Sequence, residues 1–493
     1  MRLPTVVLHL LFAAIIAALP VKYDDKKNII FLVSDGLGQS GITAARQFKQ
    51  TRDNLTNEQS VLHLENYLIG SVRTKSSSQL VTDSAAAGSA IAEAFKTYNG
   101  AISVDSDGTP KGTFYEGAKL KNYKTGIVSS TFVQDATICT PNTHALSRKS
   151  LDLIAEQQLG YGHPLGQVID VVLGGGRQYL HGENQTQYGS KGKRKDGVDY
   201  IAKAQEDGWT YIGNRTEFDT YNLGNGVEPK LPLLGIFGAD KLPYEIDRIN
   251  EEVPSLKELS LLALNTLIEA TKDQEEGFVL LLEGARIDHA GHSNDPVAHA
   301  RDVIEYDETW KAVIDRVSSL DTETIVVSTS DHETGGYALG IDNVYDYYPD
   351  VLLNATMSTE KAIELLKEYE GDDKAGFLKK DILQDAFKLN NVTDEEVNEL
   401  LESKSILVDI GHLVSKQAGV GWTSTGHTAV DVPIFAWSNT KEAYNEILAN
   451  LGSSIENTEI PEFFAKYIDV NLDEVTDKIQ EIETGEKVAE KKK

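Results

Sequence analysis

Residues 28–36 read NIIFLVSDG. The run is apolar, and rich in β-branched and aromatic side chains up to Ser34. It then stops on Asp35-Gly36, a turn pair. A helix-like stretch, GITAARQF, follows at 41–48. A strand that is apolar on both faces is buried on both faces. The same pattern recurs along the chain. TGIVSS (125–130), VIDVVLGGG (168–176), GFVLLLEG (277–284) and TETIVVSTSD (322–331) read as further strands, and VPIFAWS (432–438) as the last one. ELSLLALNTLIEA (258–270) has the period of an amphipathic helix. Strands alternating with helices predict an α/β fold, a three-layer sandwich with a central, mostly parallel sheet and helices on both faces.

The rhythm breaks from about 340 to 425, where charged helix formers such as STEKAIELLKEYEGDDKAG (358–376) dominate. That segment reads as a helical insertion. The chain has 493 residues, 40% of them hydrophobic, with no repeat and no linker-like stretch. One large domain at 21–475 is expected, followed by a charged, solvated tail at 476–493.

The net charge of −29 argues against nucleic acid as a specific partner. The single cysteine, Cys139, excludes an internal disulfide and a cysteine-type zinc site. Any metal must be held by Asp, Glu and His. Residues 1–20 carry Arg2 and then an apolar run to Leu19, as in a cleaved signal peptide. A signal anchor is the alternative, with membrane contact only if the segment stays uncleaved. Asn-x-Ser/Thr tripeptides begin at Asn54, Asn184, Asn214, Asn354 and Asn391, as suits a glycoprotein of the secretory pathway.

In open α/β sheets, ligands bind at the carboxyl ends of the strands. Asp35 closes the first strand. Glu283 closes another and leads into ARIDHAGH, with Asp288, His289 and His292. Asp331-His332 closes a third, and His427 precedes the strand at 432–438. Asp135, Thr137 and Arg148 follow the strand at 125–130. Singly, each reads as a cap or a turn residue. His63, His144, His163, His181, His299 and His412 keep that reading. Together, four carboxylates on one edge repel one another unless cations intervene. Asp and His without cysteine suit zinc, and an all-oxygen subset suits magnesium.

LVTDSAAAG (80–88) supplies the remaining part. A strand-like Leu-Val-Thr meets Asp83-Ser84 and an alanine-rich helix. Ser84 is either a helix N-cap or a nucleophile at the positive end of that helix. Paired zinc ions would activate its hydroxyl and supply hydroxide for a second step. Arg148 would fork onto two phosphate oxygens, and Asp83 would orient it.

VTDSAAAG, LVSDGLG, QDAT followed by SR, EGARIDHAGH, STSDHETGG and TGHTAVD together resemble the alkaline phosphatase family, from about residue 27 to about 475. KTYNGAI (96–102), LGGGR (173–177) and SLKELSLLAL (255–264) are most similar to the fungal, vacuolar-type (repressible) enzymes. The resemblance implies a phosphomonoesterase with two zinc ions and one magnesium, acting through a phosphoserine at Ser84. It implies Asp288, His292 and His427 at the first zinc, and Asp35, Asp331 and His332 at the second. Asp35, Thr137 and Glu283 would hold magnesium, Arg148 would bind phosphate, and Asp135 and His289 would act through water. Asp135 matches bacterial members and His289 animal members. The implied substrates are small phosphate monoesters, with phosphoproteins as an option. The implied state is a homodimer, secreted or in the vacuolar lumen, or on the vacuolar membrane as a type II anchored protein. A related phosphodiesterase, sulfatase or phosphomutase is the competing enzyme reading. A non-catalytic phosphate or metal binder is the other, and the presence of every site residue argues against it.

Overall fold

The computed structural model describes residues 26–221 and 228–486. The expected signal or anchor at 1–20 and the last residues of the tail lie outside them. Ten strands form the main sheet: β1 Lys27–Val33, β2 Leu68–Arg73, β3 Lys124–Phe132, β4 Val171–Gly175, β5 Thr210–Ile212, β6 Leu233–Ile236, β7 Phe278–Glu283, β8 Glu323–Thr329, β9 Val432–Ser438 and β10 Ser454–Glu456. Their spatial order is β10-β2-β9-β8-β1-β7-β3-β4-β6-β5. Only β9 runs antiparallel to its neighbours, β8 and β2. The NIIFLV run is β1, in parallel register with β7 on one side and β8 on the other.

Side chains on a strand alternate between faces. Ile30 and Leu32 therefore pack into one core with Leu280, Leu282 and Val326. Ile29, Phe31 and Val33 pack into a second core with Val279, Leu281 and Val327. Helices Gln39–Asp53, Leu256–Thr271 and Pro296–Val317 cover the first face. Helices Phe114–Leu120, Lys441–Leu451 and Glu459–Tyr467 cover the second. This is the expected three-layer α/β sandwich. A capping box between Ser255 and Glu258 starts the Leu256–Thr271 helix.

The segment expected as an insertion holds helices between Pro349 and Ala418. A short antiparallel pair, Ala338–Leu339 with Val420–Gly421, brings its two ends together. Leu352, Ile363, Leu378 and Val414 join the first core, so it is packed against the sheet layer rather than set apart.

Several expectations need correction. Residues 80–82 are not a strand: Leu80 is 79% exposed and the chain bends there. Ser84 is the first residue of its helix, and Asp83 is the N-cap, accepting from Ala86 N–H at 3.0 Å. VPIFAWS is not the last strand, because β10 adds parallel to β2 at the edge. Nor does packing stop at 475. Helix Leu472–Ile479 crosses that boundary with Val475 and Ile479 buried.

Beneath the second face, Glu116 is fully buried. Its Oε2 accepts Thr113 N–H at 2.8 Å in a capping box. Its Oε1 accepts from Nε2 of His163 at 2.8 Å and lies 2.9 Å from Nε2 of His144, whose Nδ1–H donates to Ser103 O at 2.6 Å. Burial alone would raise this carboxyl, but the two imidazoles outweigh it and hold it at about 2, against 4.5. A depressed carboxyl stabilises the fold above its ordinary range, and loses that effect as pH falls toward its folded value. The shift corresponds to about 3 kcal/mol. Glu116→Gln should therefore lower the urea midpoint at pH 7 by the equivalent of about 3 kcal/mol. The gap to the parent should close as pH falls from 4.5 toward 2.

Candidate active site

Parallel register places the ends of β1, β7 and β8 side by side, with Val33 paired to both Glu283 and Thr329. The residues that follow each strand must then share one edge. Asp35, Glu283, Asp288 and Asp331 are all buried there. Because β9 runs the other way, the segment before it enters from the same edge and delivers His427.

Two groups of three ligand atoms result, each with its atoms within 4.8 Å of one another: Asp288, His292 and His427, and Asp35, Asp331 and His332. In the first, Nδ1–H of His292 donates to Thr425 O at 2.6 Å, and Nδ1–H of His427 donates to Thr82 O at 2.8 Å. Both Nε2 atoms therefore face inward, 3.1 Å apart. Asp288 lies 3.3 Å from one and 3.6 Å from the other. Three potential ligand atoms converge on one point, which fits a cation of the zinc class.

In the second group, His332 Nε2 is 3.0 Å from Asp331 and 3.8 Å from Asp35. Asp35 Oδ1 is buried with no hydrogen-bond partner. Thr137 Oγ1 lies 3.4 Å from both Asp35 and Asp331. Glu283 accepts from Ser129 Oγ at 2.6 Å.

Proton affinities record the crowding. Burial, then repulsion from Asp331 and Asp288, pushes Asp35 well up. Burial and Asp135 push Glu283 up to about 8. Burial opposes charge on His292, yet Asp288 raises it to about 9. Burial and the neighbouring His332 push His427 down to about 4. Two histidines around one carboxylate are driven in opposite directions. One proton cannot serve both rings, whereas a divalent cation can.

Ser84 Oγ lies 3.1 Å from His332 Nε2, at the second group. The two groups adjoin, since the rings of His332 and His427 stack with centroids 3.5 Å apart. Arg148 stands across the opening. Its Nη1 is 3.4 Å from Asp83 and its Nη2 is 3.2 Å from Asp135. His289 Nε2 is 3.7 Å from Asp135. Every catalytic, metal-ligand and supporting residue expected from the sequence motifs thus lies on this edge or touches one that does.

Sequence reasoning missed the orienting partners. Thr82 O and Thr425 O are backbone atoms, with no residue signature. Thr334 Oγ1 donates to Asp288 Oδ1, and only its place in STSDHETGG hinted at that. A third group within the same distance limit, Glu116, His144 and His163, lies away from the edge. It is satisfied internally: Leu165 N–H donates to Nδ1 of His163 at 3.1 Å, which leaves the ring's hydrogen on Nε2 for Glu116.

Comparison with known proteins identifies the family. The profile of the alkaline phosphatase family matches residues 26–470. The repressible alkaline phosphatase of Saccharomyces cerevisiae is 42% identical over 475 residues, covering 92% of this chain and 84% of its own. Alkaline phosphatase 3 of Bacillus subtilis is 33% identical, covering 91% of this chain and 90% of its own. The crystal structure of a cold-active alkaline phosphatase from Shewanella sp. superposes with a TM-score of 0.72 at 28% identity, covering 89% of this chain and 99% of that one. Such a match over nearly the whole described chain, on a sheet whose edge gathers two metal-binding groups, means that the chain belongs to the alkaline phosphatase family and is a phosphatase.

Proposed function

We propose that the protein hydrolyses phosphate monoesters through a covalent phosphoserine at Ser84, with two zinc ions and one magnesium bound. Asp288, His292 and His427 would hold one zinc, and Asp35, Asp331 and His332 the other. Asp35, Thr137 and Glu283 would hold magnesium, with Asp135 reaching it through water. When bound, these ions supply Lewis acidity, lowering the pKa of hydroxyl and water and offsetting the carboxylates.

The chain's own residues do the rest. Ser84 Oγ bonds to phosphorus as the ester P–O bond breaks and the alcohol leaves. Water then attacks the phosphoserine, restoring the serine hydroxyl and releasing phosphate. The Ser84–Glu93 helix starts at the nucleophile, so its leading N–H groups not taken by Asp83 would meet the anion. Arg148 forks onto two terminal oxygens, held ready by Asp83 and Asp135. That fork favours a monoester dianion over a diester. A neutral imidazole at 289 should bind product phosphate less strongly than an ammonium would.

The observation that carries this reading is the 3.1 Å approach of Ser84 Oγ to His332 Nε2. We place the protein in the secretory pathway, secreted or in the vacuolar lumen. The exposure of Asn54, Asn184, Asn354 and Asn391 suits glycosylation. Asn214 is committed instead to capping a helix, accepting from Glu217 N–H. A homodimer would cover Leu80 and Val81, exposed apolar neighbours of the nucleophile.

Ser84→Ala should abolish phosphoenzyme trapped with a labelled monoester and cut turnover by about a thousandfold or more, with bound metal unchanged. Full activity in that variant would refute the nucleophile. Chelation should remove activity toward a chromogenic monoester. Zinc together with magnesium should restore it, and diester hydrolysis should remain a minor fraction throughout.

A further inference from the structure

Of the two ring nitrogens of His289, Nε2 faces Asp135, and Nδ1 lies 2.8 Å from Nη1 of Arg286. A guanidinium has donors only, so this contact makes Nδ1 the acceptor. The ring hydrogen is then fixed on Nε2, the nitrogen turned toward the Arg148 side of the site. Arg286 is itself fully buried, with its guanidinium 3.6 Å from the centroid of the Tyr244 ring. Its other terminal nitrogen, Nη2, donates to Glu360 Oε1 at 3.0 Å. Glu360 Oε2 accepts from Lys241 Nζ at 2.5 Å.

Glu360 belongs to the Thr359–Glu368 helix, inside the charged segment between 340 and 425. The start of that helix is fixed to the body of the protein. Thr359 N–H donates to Asp295 at 2.7 Å, and Ser358 N–H donates to Asp247 at 3.0 Å.

We propose that this helical insertion positions His289 through Glu360 and Arg286, presenting Nε2–H as a hydrogen-bond donor to a phosphate oxygen. The proposal rests on the phosphomonoesterase reading above. Arg286 and Glu360 are positioning residues that do not meet the substrate. Without them, the ring can rotate or move its hydrogen to Nδ1, and the phosphate loses a donor. A hydrogen bond to a charged group is commonly worth a factor of about ten or more in binding.

The test uses the full chain, metal-replete, with metal content measured in each sample. Arg286→Met and Glu360→Ala are compared with the parent and with the same changes in a His289→Ala background. Readouts are KM and kcat for a chromogenic monoester, the Ki of inorganic phosphate, and phosphate binding by calorimetry. Arg286→Met should raise KM and Ki together by about tenfold, beyond any fall in kcat. Glu360→Ala should raise them by about threefold, since Arg286 loses an anchor but stays in place. Glu360 is partly exposed, so its variant keeps the test alive if loss of the buried arginine prevents folding. Neither change should act further once His289 is alanine. Equal effects with and without His289, or a fall in kcat at constant Ki, would overturn the proposal. Trapping of phosphoserine in the parent keeps the two questions apart. Its absence refutes the phosphomonoesterase reading. Its presence with no coupling to His289 refutes only the insertion's role.

Discussion

Four buried carboxylates at one end of the sheet, Asp35, Glu283, Asp288 and Asp331, set the terms for everything around them. Two like charges about 4 Å apart repel by about 4 kcal/mol at the effective dielectric typical of proteins. A few such pairs approach the whole net stability of a domain, about 5–15 kcal/mol. Protons relieve this only in part, as the upward shifts of Asp35 and Glu283 record. Divalent cations relieve it better, and the inward-facing Nε2 atoms of His292 and His427 prepare for one. The edge is thus expensive for the free chain and becomes favourable through metal affinity.

Proximity alone does not mark such a site. Glu116, His144 and His163 are as close together as the groups on the sheet edge. The direction of the hydrogens separates them. Around Glu116, Thr113 N–H and the imidazole of His163 donate to the carboxylate, and Leu165 N–H donates to the other nitrogen of His163. Around Asp288, carbonyls take the Nδ1 hydrogens of both histidines, so both Nε2 atoms face the carboxylate and compete for it.

The sheet's centre was legible in the sequence because β1, β7 and β8 are buried on both faces and end in carboxylates. Its margins were not. Strands β2, β5 and β10 are short or half-exposed, so they carry neither a continuous apolar run nor a full alternation. Leu80-Val81-Thr82 misled in the opposite direction: its side chains suit a strand, but no neighbouring strand pairs with it. Ligand side chains could be found because several apolar runs bring Asp, Glu and His to the same edge, where carboxylates do not gather without a cation. The groups that aim them are harder to read. Two are carbonyls, and the contact from Glu360 to Arg286 spans 74 residues.

The position of β1 also bears on biosynthesis. It leaves the ribosome well before its partners β7 and β8, since Ile29 pairs with Val279. At about 5–20 residues per second, some 250 residues of translation take roughly ten to fifty seconds. Throughout that interval an apolar pentapeptide, Ile29–Val33, with two open edges waits for its neighbours, a ready template for aggregation. The segment that organises the sheet is therefore also the one most in need of a chaperone while the chain is being made.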